Sequence, residues 1–310
     1  MKRKIKAMAI GISFLLAVLP GVMSGFEQDD GNTIYVDDDN IEGPWDGTQE
    51  HPYQYIQDAI DNVTKGDTVF VYNGIYFENI FINNTINLIG EDKNTTIVDG
   101  NNRHDVIFIG FPANKVTITG FTIQNSGNYS AGGGIFDAGF EIHSDYNIIV
   151  HNIICNHPLY GICLWASKGN NISHNIIKKC ERSGIYFFSG PYNLISHNLI
   201  RHNDVGISFL GSTNSKKNIL SYNTFFENHK GLAMFDSENH IFYNNFFDNA
   251  DFNAMSHFNI WQMKGSRNIW ERNYWDDWIG FGPKWIPGLL GFNFDWEPAK
   301  EPYLYQEAYV

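Results

Sequence analysis

The feature that most constrains this chain is an asparagine repeated at a near-constant interval. Asn152, Asn175, Asn198, Asn223, Asn244 and Asn273 fall 21 to 29 residues apart, and five residues before each stands another: Asn147, Asn170, Asn193, Asn218, Asn239 and Asn268. Three residues before each member of the first series is apolar (Ile149, Ile172, Ile195, Leu220, Ile241, Trp270), and so is the residue two after it (Ile154, Ile177, Ile200, Phe225, Phe246, Trp275). A glycine followed by an aliphatic or aromatic residue recurs at Gly139, Gly161, Gly184, Gly206 and Gly231. A unit of this length, with short strand-like runs and no helical periodicity, cannot bury its own apolar side chains, so stacking must supply the core. The pattern predicts an all-β solenoid whose equivalent residues pile into ladders ~4.8 Å apart. Buried asparagines in such a ladder hydrogen-bond to the coils above and below. Glycine suits positions where φ is positive or a neighbouring coil passes close.

The motif Asn-x-Ile-x-x-Asn-x-Ile, followed by Gly-Ile-x-Leu, stands at Asn147 to Ile154 with Gly161 to Leu164. It resembles the repeats of right-handed parallel β-helix proteins of the pectin-lyase-like superfamily, and more narrowly the secreted NosD-like proteins. The resemblance covers nearly all of the chain after residue 24. It implies a right-handed parallel β-helix. NosD itself is a periplasmic protein associated with copper-site maturation, so the resemblance also brings copper handling into view. The fold carries lyases, hydrolases, epimerases, adhesins and scaffolds, and activity therefore has to be argued from a site.

Residues 1–24 read as a secretory leader: Lys2, Arg3, Lys4 and Lys6, an apolar run from Ala7 to Leu19, then Pro20 and small residues at Ser24 and Gly25. That run is shorter than the ~20 residues that span a bilayer, and no apolar stretch of spanning length follows. The expectation is a secreted or cell-surface protein with no membrane span in the mature chain. The formal charge of −13 becomes more negative once the leader leaves. Such a chain repels nucleic acid, and Lys178-Lys179 with Arg182, or Lys216-Lys217, are short and scattered. Cys155, Cys163 and Cys180 are odd in number and sit at different repeat positions, which predicts free, core-like thiols over a disulfide framework. Asn62, Asn83, Asn94, Asn128 and Asn171 head glycosylation sequons.

Residues 25–67 read as an N-terminal segment, 68–275 as the β-helix and 276–310 as a closing tail. In the first, Ile56, Ala59, Ile60 and Val63 have the spacing of a short amphipathic helix. An open solenoid end exposes core and strand edge, so this helix is expected to cap it. Six of the eight tryptophans (Trp261, Trp270, Trp275, Trp278, Trp285, Trp296) crowd the other end, where they suit a plug more than a sugar platform. Asp37, Asp38, Asp39 and Asp46 offer oxygen ligands for Ca²⁺ but lack a metal loop's regular alternation.

Two sets of residues carry candidate chemistry. His151, His174 and His197 precede the anchor asparagine in three consecutive coils, within bridging reach for Cu or Zn if the strands stack. The equivalent Tyr222, Tyr243 and Arg272 argue for a generic exposed position. The second set lies on the strand after the recurring glycine. With Phe140 and Ile142, Ile162 and Leu164, and Ile185 and Phe187 inward, Glu141, His143, Cys163, Trp165, Tyr186 and Phe188 face out. Beside them the repeat is stretched between Asn125 and Gly139, with Gly132, Gly133 and Gly134 inside, as expected of a loop on a binding face. Trp165, Tyr186 and Phe188 with Asp137 and Glu141 would suit a polysaccharide or cell-surface glycan. No clustered pair or triad of carboxylates is visible in the linear order, which weighs against an enzyme. The leading expectation is a monomeric, non-catalytic carbohydrate-binding module. A polysaccharide lyase, hydrolase or epimerase and a copper-handling protein are the alternatives.

Overall fold

The computed structural model describes residues 31–131, 135–209, 215–235, 237–257, 267–288 and 293–304. Residues 1–24, where a leader is expected, therefore lie outside the described residues, as do Gly132, Gly133, Gly134 and Trp261. One coil shows the plan: Ile148–Val150, Ile153–His157 and Tyr160–Leu164 are three strands separated by sharp corners. Equivalent strands of successive coils pair in parallel and in register, for instance Ile149 with Ile172 and Ile172 with Ile195. Among the described residues the three sheets so formed have twelve, nine and eight strands. The protein is a parallel β-helix.

The corners explain the sequence. At each, one residue adopts the left-handed conformation and the next turns inward: His151 (φ 57°) before Asn152, His174 (57°) before Asn175, His197 (56°) before Asn198. Two asparagine columns were legible, and both are threaded from coil to coil, with the Asn239 side-chain amide as an interruption among the described residues. Asn175 donates its backbone N–H to Asn198 Oδ1 (3.0 Å), its side-chain amide to the same oxygen (3.1 Å) and again to Ile149 O (2.8 Å). Asn170, Asn193 and Asn218 repeat the scheme at the preceding corner. A third column was not anticipated. Asn203, Asn228 and Asn249 thread the remaining corner, with Asn203 N and Nδ2 both donating to Asn228 Oδ1 and Asn228 doing the same to Asn249. It continues upward through Cys180 and His157, where other side chains replace asparagine. His157 is wholly buried, and its ring bonds Ser126 Oγ (3.0 Å) and Ile123 O (3.2 Å).

Inside run the apolar ladders, among them Phe225, Phe246 and Trp275, whose rings stack at 4.6 and 4.3 Å. The recurring glycines answer to close approach rather than to positive φ. A Cβ on Gly184 would lie 2.7 Å from Gly206 O, and one on Gly161 2.6 Å from Gly184 O. Cys155, Cys163 and Cys180 are buried free thiols.

At the N-terminal end the strand Thr33–Val36 is already a rung of the first sheet, pairing with Thr68–Val71. The helix Ile56–Asp61 turns Ile56, Ala59 and Ile60 into the core, and its first N–H groups, on Ile56 and Gln57, donate to the Glu78 carboxylate (2.8 and 2.9 Å). At the other end Asn273 has no further asparagine to meet. The buried Asp295 takes that place, accepting Asn273 N (2.8 Å), Asn273 Nδ2 (3.1 Å) and Trp275 Nε1 (3.1 Å). Trp270 and Trp275 are buried and Trp278 packs on the core, whereas Trp285 and Trp296 are exposed.

Two stability predictions follow from the corners. Asn198→Ala leaves the Asn175 N–H and the Ile172 carbonyl without their side-chain partner, and should cost about 3 kcal/mol, read by denaturant unfolding. Lys179 is exposed and left-handed (φ 57°), so Lys179→Gly should stabilise by roughly 0.5–1 kcal/mol; a loss of that size would mean the corner tolerates a side chain without strain.

Candidate functional site

The strands Ala138–Ile142, Tyr160–Leu164 and Ser183–Phe187 of the eight-stranded sheet place Phe140, Ile142, Ile162, Leu164, Ile185 and Phe187 in the core. Their outer side is not open to water throughout. Ala138, Leu159, Tyr160, Cys163 and Tyr186 form a second buried apolar cluster, with Phe136 and Phe188 packed against it. Tyr160 and Tyr186 stack at 4.4 Å, and Phe136 stands edge-on to both at 5.2 and 5.6 Å. The stretched segment thus folds back over the sheet. Tyr186 is left only 6% exposed, which corrects the expectation of an open ring there.

Alongside runs a row of rings from five coils. Phe81 and Phe108 stack at 5.3 Å, Phe108 meets His143 at 4.9 Å, His143 stacks on Trp165 at 5.5 Å, and Trp165 on Phe188 at 3.9 Å and 4°. Stacked rings cover one another's faces. Trp165 is sandwiched between His143 and Phe188, so it presents an edge where the sequence suggested a platform.

Carboxyl groups gather next to this row. Phe108 is in register with Glu141, which brings the preceding turn, and Asp105 with it, against the start of the Glu141 strand. Asp105 Oδ1 accepts the Ala138 N–H (2.7 Å), and Asp137 Oδ2 accepts the Tyr129 N–H (2.8 Å). Gly127 lets that Asp137 oxygen approach, since a Cβ would collide with it. Glu141, 4% exposed, has its Oε1 2.6 Å from His143 Nε2. Asp105, Asp137 and Glu141 line one cleft of about 650 Å³, walled by Arg103, His104 and Tyr129.

Burial and the facing Glu141 carboxyl push the Asp105 carboxyl far above the usual range. Burial raises Glu141 as well, offset in part by the hydrogen bond from Asp105. Burial also lowers His143, opposed in part by the Asp105 charge. Both shifts of the carboxyl groups run in the direction that favours retaining a proton on the Asp105–Glu141 pair where a free carboxyl would be ionised. Asp105 was missed in the linear order because it lies 36 residues before Glu141; the signal was the match of Ile107-Phe108-Ile109 to Phe140-Glu141-Ile142.

The histidine column forms as expected, but as a stack. His151 and His174 are 5.0 Å apart, and His174 and His197 are 4.8 Å apart at 2°. The column continues through Tyr222 and Tyr243 at 5.0 and 5.1 Å, and Arg272 reaches the Tyr243 hydroxyl at 3.4 Å. Two nitrogens bound to one ion at ~2 Å lie at most ~4 Å apart, and a parallel stack at the observed spacing does not bring equivalent nitrogens that close. Among the described residues no three histidine, cysteine or acidic side chains are placed to hold a metal. The aspartates considered for Ca²⁺ accept N–H groups of the chain itself: Asp37 accepts Asp39 N and Asp46 the Thr48 N–H and hydroxyl within their own turns, while Asp38 accepts Ile75 N from the strand Gly74–Tyr76.

Comparison with known proteins agrees with this architecture. Among solved structures, the pectin methylesterase of Aspergillus niger superposes with a TM-score of 0.50 at 12% identity, over 72% of this chain and 77% of that one. ORF18 of Geobacillus virus E2 gives 0.51 at 12% identity, over 83% of this chain and 59% of that one. At such identity the likeness is one of fold. No curated protein matches in sequence. No helix among the described residues is long and apolar enough to cross a membrane. The family described as "Periplasmic copper-binding protein (NosD)" matches residues 60–280, more than two thirds of the chain, and the repeat, the ladders and the coil plan all lie within that span: the protein is a member of the NosD family.

Proposed function

We propose that the protein is an extracytoplasmic carbohydrate-binding β-helix whose ligand enters the cleft floored by Glu141. The convergence of Asp105, Asp137 and Glu141 on one cleft of about 650 Å³ carries this reading. Sugars are dense in hydroxyl donors, and carboxyl oxygens are strong acceptors for them. Tyr129, half its surface exposed, and Phe136 supply apolar wall for a sugar ring. The family's periplasmic description and the leader-like first 24 residues support a place outside the cytoplasm. Its copper-binding description raises metal handling as well. The stacked histidines do not fit a single copper ion, and no step is routed through one.

The proton held between Asp105 and Glu141 favours a second reading, hydrolysis. A carboxyl pair of this kind can give its proton to the leaving oxygen of a glycosidic bond while a neighbouring carboxylate takes one from the attacking water. The atoms of one water are then divided between the two products.

A glycan-array screen of the exported chain, with mass-spectrometric analysis of every glycan bound, tests both readings. Binding without new products is the expected result, with affinity lowered about tenfold (~1.4 kcal/mol) by Asp137→Ala or Glu141→Ala. Shortened products that vanish in Glu141→Gln would establish hydrolysis instead, and absence of any glycan ligand would remove both.

The shared proton also has a signature in stability. Above about pH 4 the unfolded chain has released the proton that the folded pair still holds. Folding is therefore progressively penalised as pH rises from there towards the pair's own ionisation. Melting temperatures between about pH 5 and pH 8 should fall for the wild type and flatten in Asp105→Asn. A wild-type profile as flat as the variant's would show that the pair holds no proton.

A further inference from the structure

A different edge of the solenoid carries chemistry opposite to that of the cleft. Lys115, Tyr146, Gly169, Tyr192 and Lys217 occupy one corner in five successive coils, all left-handed, with φ of 58°, 60°, 67°, 62° and 58°. Backbone bonds hold them in column: Lys115 N to Asp145 O, Tyr146 N to Lys168 O, Gly169 N to Pro191 O and Tyr192 N to Lys216 O. We infer that this corner, with the groove at its lower end, is a second carbohydrate site that takes a polyanionic glycan, one bearing uronate carboxylates or sulfate esters.

Three observations support it. The first is charge. In a chain of formal charge −13, this corner collects Lys115, Lys168, Lys216 and Lys217 and, two coils beyond Lys217 and past Glu238, Arg267. Asp145 pairs with Lys168 and Glu238 with Lys216, each at 3.7 Å, while Lys115, Lys217 and Arg267 have no carboxylate partner among the described residues. A polyanion repelled by the rest of the surface is drawn to such a strip.

The second is ring exposure. Tyr146 and Tyr192 are 51% and 58% exposed. Unlike the histidines, they are separated by a glycine, so they stand two coils apart, ~9.6 Å from twice the strand spacing. The Tyr146 ring lies over Gly169, where a Cβ would come within 2.5 Å of it. Lys217 Nζ lies 5.3 Å from the centre of the Tyr192 ring and donates to its hydroxyl at 3.2 Å, which sets a cation beside an exposed ring.

The third is the groove, about 470 Å³, lined by Lys217 and Arg267, by Ile219 and Ile269, and by Glu238 and His240, of which Glu238 is paired with Lys216 at 3.7 Å. Asn239 lines it, only 3% exposed, and its side-chain N–H donors have no acceptor, the one interruption of donation along that column among the described residues.

The test uses the full exported chain with polygalacturonate and chondroitin sulfate as probes, neutral dextran as control, and vesicles containing phosphatidylserine as a competing anion. Both polyanions should bind, more weakly as salt rises. Lys217→Glu with Arg267→Glu should reduce affinity at least tenfold, and Tyr192→Ala several-fold, with melting temperature and circular dichroism unchanged. Glu141→Gln, in the cleft, should leave polyanion binding within twofold, which separates this site from the one proposed above. Polyanion binding that survives the double charge reversal, disappears with Glu141→Gln, or is absent while vesicles bind would overturn the inference.

Discussion

The structure depends on amide donors and acceptors that are satisfied in the dry interior at every corner. A chain that turns three times per coil must bury backbone N–H groups at each turn, and an unpaired buried donor costs about as much as a core methyl group lost to a cavity. Asparagine solves this with one side chain. Its oxygen receives the N–H of the coil above while its nitrogen donates onward, so each corner completes its neighbour. The left-handed residue before it costs something in backbone strain, and the paired amides offset that. Where the column ends, a carboxylate is the fitting terminus: Asp295 needs no onward acceptor and takes three donors from Asn273 and Trp275.

The same corners decide what the outside looks like. A residue in left-handed conformation throws its side chain outward immediately before the inward asparagine, and successive coils place those side chains about 5 Å apart. Rings there stack face to face. His151, His174, His197, Tyr222 and Tyr243 become a single column that shows solvent its edges. At the neighbouring corner Gly169 interrupts the column, and the tyrosines around it keep exposed faces beside lysines. One geometric rule, with a single glycine as exception, yields two surfaces of different chemistry.

The carboxyl cleft arises from a departure from the rule. The stretched segment before Gly139 folds back over the eight-stranded sheet, buries Tyr160 and Tyr186 under Phe136, and carries Asp137 to Asp105 and Glu141. Three acidic groups in one place are costly unless they share protons or find donors. Here the Ala138 and Tyr129 N–H groups donate to Asp105 and Asp137, His143 Nε2 lies 2.6 Å from Glu141, and burial raises both Asp105 and Glu141. The carbohydrate site proposed above rests on this cluster.

The asparagine interval, the flanking apolar residues and the glycines were sufficient to specify coil length, the inward set and the parallel stacking, because each coil repeats the same local physics and periodicity survives in one dimension. Even the third column was visible as a further five-residue step, Asn193, Asn198, Asn203 and again Asn218, Asn223, Asn228, although Cys180 and His157 concealed it in the upper coils. Buried free cysteines and the helix at Ile56–Asp61 were legible for the same local reasons. The site was not. Glu141 and Asp137 could be suspected, but Asp105 joins them only through the pairing of Ile107–Ile109 with the Glu141 strand, and Tyr186 is lost to the surface only because Phe136 lies on it. Contacts between coils and across an insertion depend on which strands become neighbours and how a loop packs, quantities that no local pattern encodes, so the tertiary structure alone decided them.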